Sequence, residues 1–185
     1  MKSYFFIVSK RLGFRRWSND DIDLAVGLWG DFEVTKFFDS RGPLSRERVE
    51  YRLHQEIANQ FKHGVQYWPI FSLESGEHIG CAGLRPYDTP KNILEIGFHI
   101  RSNHWRKGYA SEAAEAVMKY AFSTLEIKGL FAGHNPKNQG SRNLLNKLGF
   151  KYTHDEFYKP TGLEHPSYLF KTDEYANFKK FKHDL

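Results

Sequence analysis

Residues 93–121 hold the side chains best spaced to do chemistry: an alternating strand, a basic turn containing a glycine, and a helix. Strand geometry puts Leu94, Ile96, Phe98 and Ile100 on one face and Glu95, Gly97 and His99 on the other. The first set reads as core packing, and the second can line a groove. The turn Trp105-Arg106-Lys107-Gly108-Tyr109-Ala110 follows. Gly108 lets backbone approach a ligand where a side chain would collide. Free amides here and in the first helical turn can bind phosphate oxygens, with help from the helix dipole and from Arg106 and Lys107. An ordinary glycine turn with exposed basic residues is the plainer reading of this motif alone. It lacks the glycine fingerprint of a dinucleotide fold and the Gly-Lys-Ser/Thr ending of a nucleotide-triphosphate loop.

Other chemistries find less support. Cys81 is the one cysteine, so it makes no internal disulfide, and no Cys/His or Ser/His/Asp arrangement accompanies it. The His and acidic residues are dispersed and form no recognisable metal-ligand set. The 185 residues include 16 Phe, 10 Tyr and 4 Trp, enough to fill a sizeable core, which excludes wholesale disorder and a disulfide-stapled miniature. The net charge of +5 resides in the first sixteen residues, through Lys2, Lys10, Arg11, Arg15 and Arg16. That is a local basic edge without a nucleic-acid-reading motif. The aromatic run 4–8 is broken by Lys10 and Arg11 too soon for a signal peptide, and no apolar run is long enough to span a bilayer. A soluble, cytoplasmic protein is expected, as a monomer or a homodimer.

The positioning elements follow from periodicity. Short opening strands are expected at 4–8 and 12–17, with Gly13 as a bend or bulge. A short helix begins at Asp20 and ends near Trp29. Ser45 caps a second helix to about Phe61, in which Leu53, Ile57 and Phe61 share a face and the intervening polar residues lie on the solvated side. Strands 67–73 and 78–84 form a hairpin, strand 93–100 follows, and a helix covers 108–125 with an apolar face rich in alanine. Residues 130–133 form a strand, 141–148 a helix, and strands begin at Phe150 and cover 168–170. Lys179, Lys180 and Lys182 mark a solvated end.

Two motifs in this order carry a family resemblance. Leu94-Glu95-Ile96-Gly97-Phe98 followed by the 105–113 turn and helix start resembles the acyl-CoA-binding signature of the GNAT acyltransferases, especially the ribosomal-protein N-terminal acetyltransferase branch. The second is Asn138-Gln139-Gly140-Ser141 through Lys147-Leu148-Gly149-Phe150. Arg11-Leu12, Trp17 and the 68–80 hairpin suit the same branch, so the resemblance covers about residues 9–170 of one GNAT-like domain spanning 1–185. It implies an α/β (α+β) fold, with a mixed, strongly twisted central sheet flanked by helices. It also implies acetyl-CoA in a V-shaped opening between central strands. The pyrophosphate would meet Arg106, Lys107, Gly108, Tyr109 and Ala110, and the pantetheine arm would run beside the strand carrying Phe98, His99 and Ile100. Trp105 stands where relatives often carry a basic or Gln side chain.

The reaction implied is acetyl transfer to an amine, without a metal. Glu95 is the candidate general base, acting through water, with acceptor binding as its other role. His99 can relay a proton, bind the acceptor or hydrogen-bond within the groove. Many relatives place a Tyr where this chain has Leu145, which cannot protonate a departing thiolate. Ser141 can bind the CoA sulfur or donate a proton, or can serve the helix terminus, and Asn138 can bond the CoA arm or fix the helix entrance. A protein or peptide N-terminal amine is the leading acceptor. A small-molecule amine enzyme and a noncatalytic acyl-CoA sensor are the alternatives.

Overall fold

The computed structural model describes the backbone of residues 4–183 and the side chains of residues 4–177. Alternating apolar runs form the strands β1 (Ile7–Val8), β2 (Leu12–Phe14), β3 (Tyr67–Ser72), β4 (His78–Asp88), β5 (Ile93–Ile100), β6 (Gly129–Gly133), β7 (Lys151–Tyr158) and β8 (Leu163–Lys171). They hydrogen-bond into one mixed sheet in the order β1-β2-β3-β4-β5-β6-β8-β7. Every neighbouring pair is antiparallel except β5 and β6. A parallel pair needs a crossover connection, and the helix α4 (Tyr109–Ser123), the fourth in chain order, supplies it.

The helices divide between the two sheet faces. The early ones are α1 (Ile22–Trp29), α2 (Phe32–Thr35) and α3 (Arg46–His63). Leu28, Trp29, Val49 and Leu53 from these pack with Tyr67 of β3 and Cys81 of β4. On the other face Ala113, Ala114, Val117, Met118 and Ala121 of α4 meet Trp68, Ile70, Ala82, Leu84, Ile96 and Ile100. The small side chains expected on α4 thus let it lie close against the sheet. Leu94 and Phe98 pack on this α4 side too. Glu95, Gly97 and His99 therefore face α1–α3, as strand parity required.

Several boundaries differ from expectation. The opening strands are shorter, and Gly13 is a regular strand residue paired with Phe71, its missing Cβ leaving room for the Phe5 ring. A 3-10 turn (Asn19–Asp21) precedes α1. On α3, Leu53 is 1% exposed but Phe61 is 95% exposed, and the buried face is completed by Glu56. Glu56 therefore leaves the solvated side that periodicity assigned it, because Arg85 and the Tyr67 backbone give its carboxylate partners inside. After β6 come α5 (Gln139–Lys147) and, beyond β8, α6 (Thr172–His183). α6 was not expected from the sequence; the Glu174 carboxylate accepts the Lys171 N–H at 2.6 Å and closes its first turn. The Lys179, Lys180 and Lys182 side chains lie outside the described residues.

Two measurements check this packing. Leu53→Ala is expected to cost about 2–5 kcal/mol in denaturant unfolding, and Phe61→Ala to stay within about 0.5 kcal/mol of the parent. His78 is 4% exposed among Trp17 and Phe71, and burial with Arg101 nearby lowers its pKa from 6.5 to about 4. The unfolded chain therefore binds more protons between those values, so this contribution is complete above pH 6.5 and is lost as pH falls toward 4. Going from pH 7 to pH 5, the parent should lose on the order of 2 kcal/mol more stability than His78→Leu. Equal acid sensitivity would contradict the burial of a neutral imidazole there.

Candidate active site

The central opening begins where β5 and β6 stop pairing. Their parallel register runs from Ile93↔Gly129 to Glu95↔Phe131 and goes no further. Beyond it β5 continues to Ile100, bonded on its other side to β4, while β6 remains bonded to β8 through Gly133↔Ser167. The strands part into a cleft of about 910 Å³ walled by Phe98, His99 and Ile100 on one side and by Ala132 and Gly133 on the other. Backbone groups on the parted edges lose their ladder partners and are left to meet a ligand.

One mouth of the cleft is the turn before α4. Arg106 and Gly108 have φ of +61° and +81°, a left-handed geometry that suits glycine. The first helical backbone bond runs from the Glu112 N–H to the Gly108 carbonyl, and no side chain caps the helix. The N–H groups of Tyr109, Ala110 and Ser111 are thus open donors at the positive end of the helix dipole. Arg11 holds the turn from behind. Its Nη1 donates to the Lys107 carbonyl at 3.0 Å, its Nε and backbone N–H donate to Glu112 at 2.6 Å, and its guanidinium lies 4.5 Å from the Tyr109 ring centre. Trp105 Nε1 donates to the Ile100 carbonyl at 2.7 Å, tying the turn to the end of β5. Arg106, Gly108, Tyr109 and Ala110 line the cleft; the exposed Lys107 side chain is not part of its lining. This cradle of unspent amides fits the pyrophosphate of acyl-CoA.

The start of α5 forms the facing wall. Asn138 Oδ1 accepts the Ser141 N–H at 3.1 Å and so fixes the helix entrance. The helix cap uses the Ser141 backbone and leaves its hydroxyl without a hydrogen bond among the described residues, on the cleft wall. Leu145 is 1% exposed and offers no proton.

The other end is built around Gly97. A Cβ at this position would overlap the Tyr67 ring, so glycine is what lets Tyr67 cross β5. The Tyr67 hydroxyl donates to Glu95 Oε1 at 2.7 Å. Burial and the nearby Glu95 hold the Tyr67 phenol well above its ordinary pKa, so it remains a donor. His99 is enclosed by Phe38, stacked at 4.7 Å, and by the edge of Tyr67. Its Nδ1 accepts from Trp29 Nε1 at 3.2 Å. Desolvation, with Arg52 and Arg85 nearby, pushes its pKa well below the ordinary value. His99 is therefore a neutral imidazole with its Nδ1 lone pair engaged. That favours a fixed hydrogen-bonding wall over a proton relay. Arg52, Arg85 and Tyr158 also line this end, at positions that no local sequence signal singles out.

Among the described residues no group of His, Cys, Asp or Glu could hold a metal ion, and no helix is long and apolar enough to cross a membrane. The basic start is partly neutralised within the fold, by Arg11 with Glu112 and by Arg15 with Asp21 at 2.6 Å.

Comparison with known proteins agrees with this geometry. The acetyltransferase (GNAT) domain model matches residues 11–151. The uncharacterized N-acetyltransferase p20 of Bacillus licheniformis is 31% identical over 147 residues, covering 78% of this chain and 82% of that protein. A GNAT-family acetyltransferase from Bacillus anthracis superposes with a TM-score of 0.79 at 21% identity, covering 92% of this chain and 100% of that one. RimL, a ribosomal L7/L12 alpha-N-protein acetyltransferase solved with coenzyme A, gives 0.75 at 16% identity, covering 90% and 97%. The chain thus belongs to the GNAT family of acetyl-CoA-dependent N-acetyltransferases.

Proposed function

We propose that acetyl passes directly from acetyl-CoA to a peptide or protein N-terminal amine while both are bound. The observation that carries this reading is one continuous cleft joining the amide-rich turn at 106–110 to the carboxylate of Glu95. The exposed β7 residues Glu156, Phe157 and Tyr158 line the cleft's flank, and an exposed flank suits a peptide acceptor. RimL, similar in fold, is named as an enzyme acting on a protein α-amine.

In this mechanism the backbone of residues 106–110 holds the pyrophosphate, with Arg106 and Lys107 adding charge. The edge of β5 at Phe98, His99 and Ile100, together with Asn138, holds the pantetheine arm. Acetyl-CoA supplies an activated acyl carbon and a thiolate leaving group. Glu95, oriented by the Tyr67 hydroxyl, takes the amine's proton through a water as the new N–C bond forms and the C–S bond breaks. An N–H on the unpaired edge of β5 meets the negative oxygen, and the Ser141 hydroxyl serves the departing sulfur. A covalent acyl-enzyme is disfavoured, because burial pushes the Cys81 thiol up to about 12 and leaves almost no thiolate at neutral pH.

Two sets of variants test this. Glu95→Gln should lower kcat/KM about 100-fold or more with acetyl-CoA affinity unchanged, and Tyr67→Phe should move the acid limb of the rate profile to higher pH. Undiminished turnover in Glu95→Gln across pH would remove the base role. Ser141→Ala should reduce kcat about tenfold while leaving Tm unchanged, since the cap bond uses the backbone N–H. A fall in Tm with full kcat would return Ser141 to a purely structural role. Intact-mass analysis of a mixed amine panel decides the acceptor: peptide products support the reading, and small-amine products alone favour the small-molecule enzyme.

A further inference from the structure

The end of the cleft beyond Glu95 contains two guanidinium groups, of which only Arg85 is paired with a buried carboxylate, that of Glu56. Arg85 projects from β4, its Cα opposite that of Glu95. It donates from Nη2 to Glu56 Oε1 and lies 4.2 Å from the Tyr67 ring centre. The other Glu56 oxygen accepts the Tyr67 N–H at 2.9 Å, so this carboxylate is fully engaged. Arg52 comes from α3 and is held flat by Trp29 and Phe38, 4.7 and 5.1 Å from their ring centres. It makes no hydrogen bond or salt bridge among the described residues, and its Nε is buried without an acceptor. Arg52 lines both the main cleft and the adjoining shallower pocket. The nearby Asp39 is already occupied by Arg41 at 2.8 Å and by Arg48. Guanidinium keeps its proton under all ordinary conditions. The wall therefore presents a fixed cation with unfilled donors to whatever enters the cleft. A cation so desolvated is strongly favoured to meet an anionic partner.

We propose that the acceptor is an aminocarboxylate, with its carboxylate held by Arg52 beside Arg85 while its amine lies at Glu95. This rests on the reading of Glu95 as the amine's proton acceptor. Such a molecule arrives at neutral pH with both charges in place, and each end meets its opposite, the ammonium at Glu95 and the carboxylate at Arg52. A planar carboxylate matches the forked donors of one guanidinium. Two sources share this chemistry: a free amino acid through its α-carboxylate, and a peptide whose N-terminal residue is acidic.

The test compares acceptors that differ only in charge, by thiol release from acetyl-CoA with the full chain. One pair is free leucine and leucinamide. The other is a short C-terminally amidated peptide beginning with Asp and its counterpart beginning with Asn. In at least one pair the carboxylate member should have a kcat/KM about 10–100-fold higher, the worth of one charge-assisted contact, and the pair that discriminates identifies the source. Arg52→Gln should bring that ratio near one through the acceptor KM. The KM for acetyl-CoA should hold, and Arg52→Lys should recover part of the preference. Equal rates within both pairs for the parent protein, or an Arg52→Gln variant that slows both members alike, would overturn the proposal while leaving acetyl transfer intact. Failure to acetylate any of these amines would overturn both it and the reading of Glu95 on which it rests.

Discussion

The arrest of pairing between β5 and β6 after Glu95↔Phe131 is the constraint on which the rest of this structure depends. α4 must cross from one strand to the other to make them parallel, so its N-terminus necessarily sits at the end of β5. β4 and β8 hold the outer sides of the two strands along their remaining length, and neither strand can bend back to close the gap. The same topology therefore supplies an edge of unsatisfied backbone groups and, at its mouth, an uncapped helix. Both are complementary to an arm that carries amides and ends in a pyrophosphate.

The end of the cleft at Glu95 is fixed by a second economy. Removing one Cβ at Gly97 lets Tyr67 cross β5, and that single crossing orients Glu95 and walls off His99. Desolvation then fixes the role of the imidazole on this strand face. The imidazole is held neutral with its acceptor nitrogen engaged by Trp29, whereas the carboxylate keeps one hydrogen bond and a place on the cleft wall. Arg11 plays the corresponding part at the other mouth, bracing the turn through Lys107 and Glu112 without entering the cleft.

Local patterning made much of this visible before any coordinates. The parity of β5 separated core side chains from Glu95, Gly97 and His99, and the small-residue face of α4 and the Gly108 turn located the helix that borders the cleft. The helix from Ser45 was also legible, because its Ser cap and the fourfold spacing that follows are local signals. What escaped depends on contacts far apart in sequence. Glu56 looks like a solvated helix position until the Tyr67 backbone and Arg85 arrive from β3 and β4. Phe61 keeps the spacing of a core residue but lies beyond the sheet's reach, at 95% exposure. For Ser141, sequence could not separate hydroxyl from backbone; only the Asn138 contact shows which atom the helix uses.

A crystal structure with coenzyme A bound tests the central claim most directly. The account predicts pyrophosphate oxygens within hydrogen-bond distance of the Tyr109 and Ala110 amides, with the thiol end lying in the gap beside residues 95–99. Coenzyme A seated on another surface, with the β5–β6 gap closed or filled by protein, would contradict it.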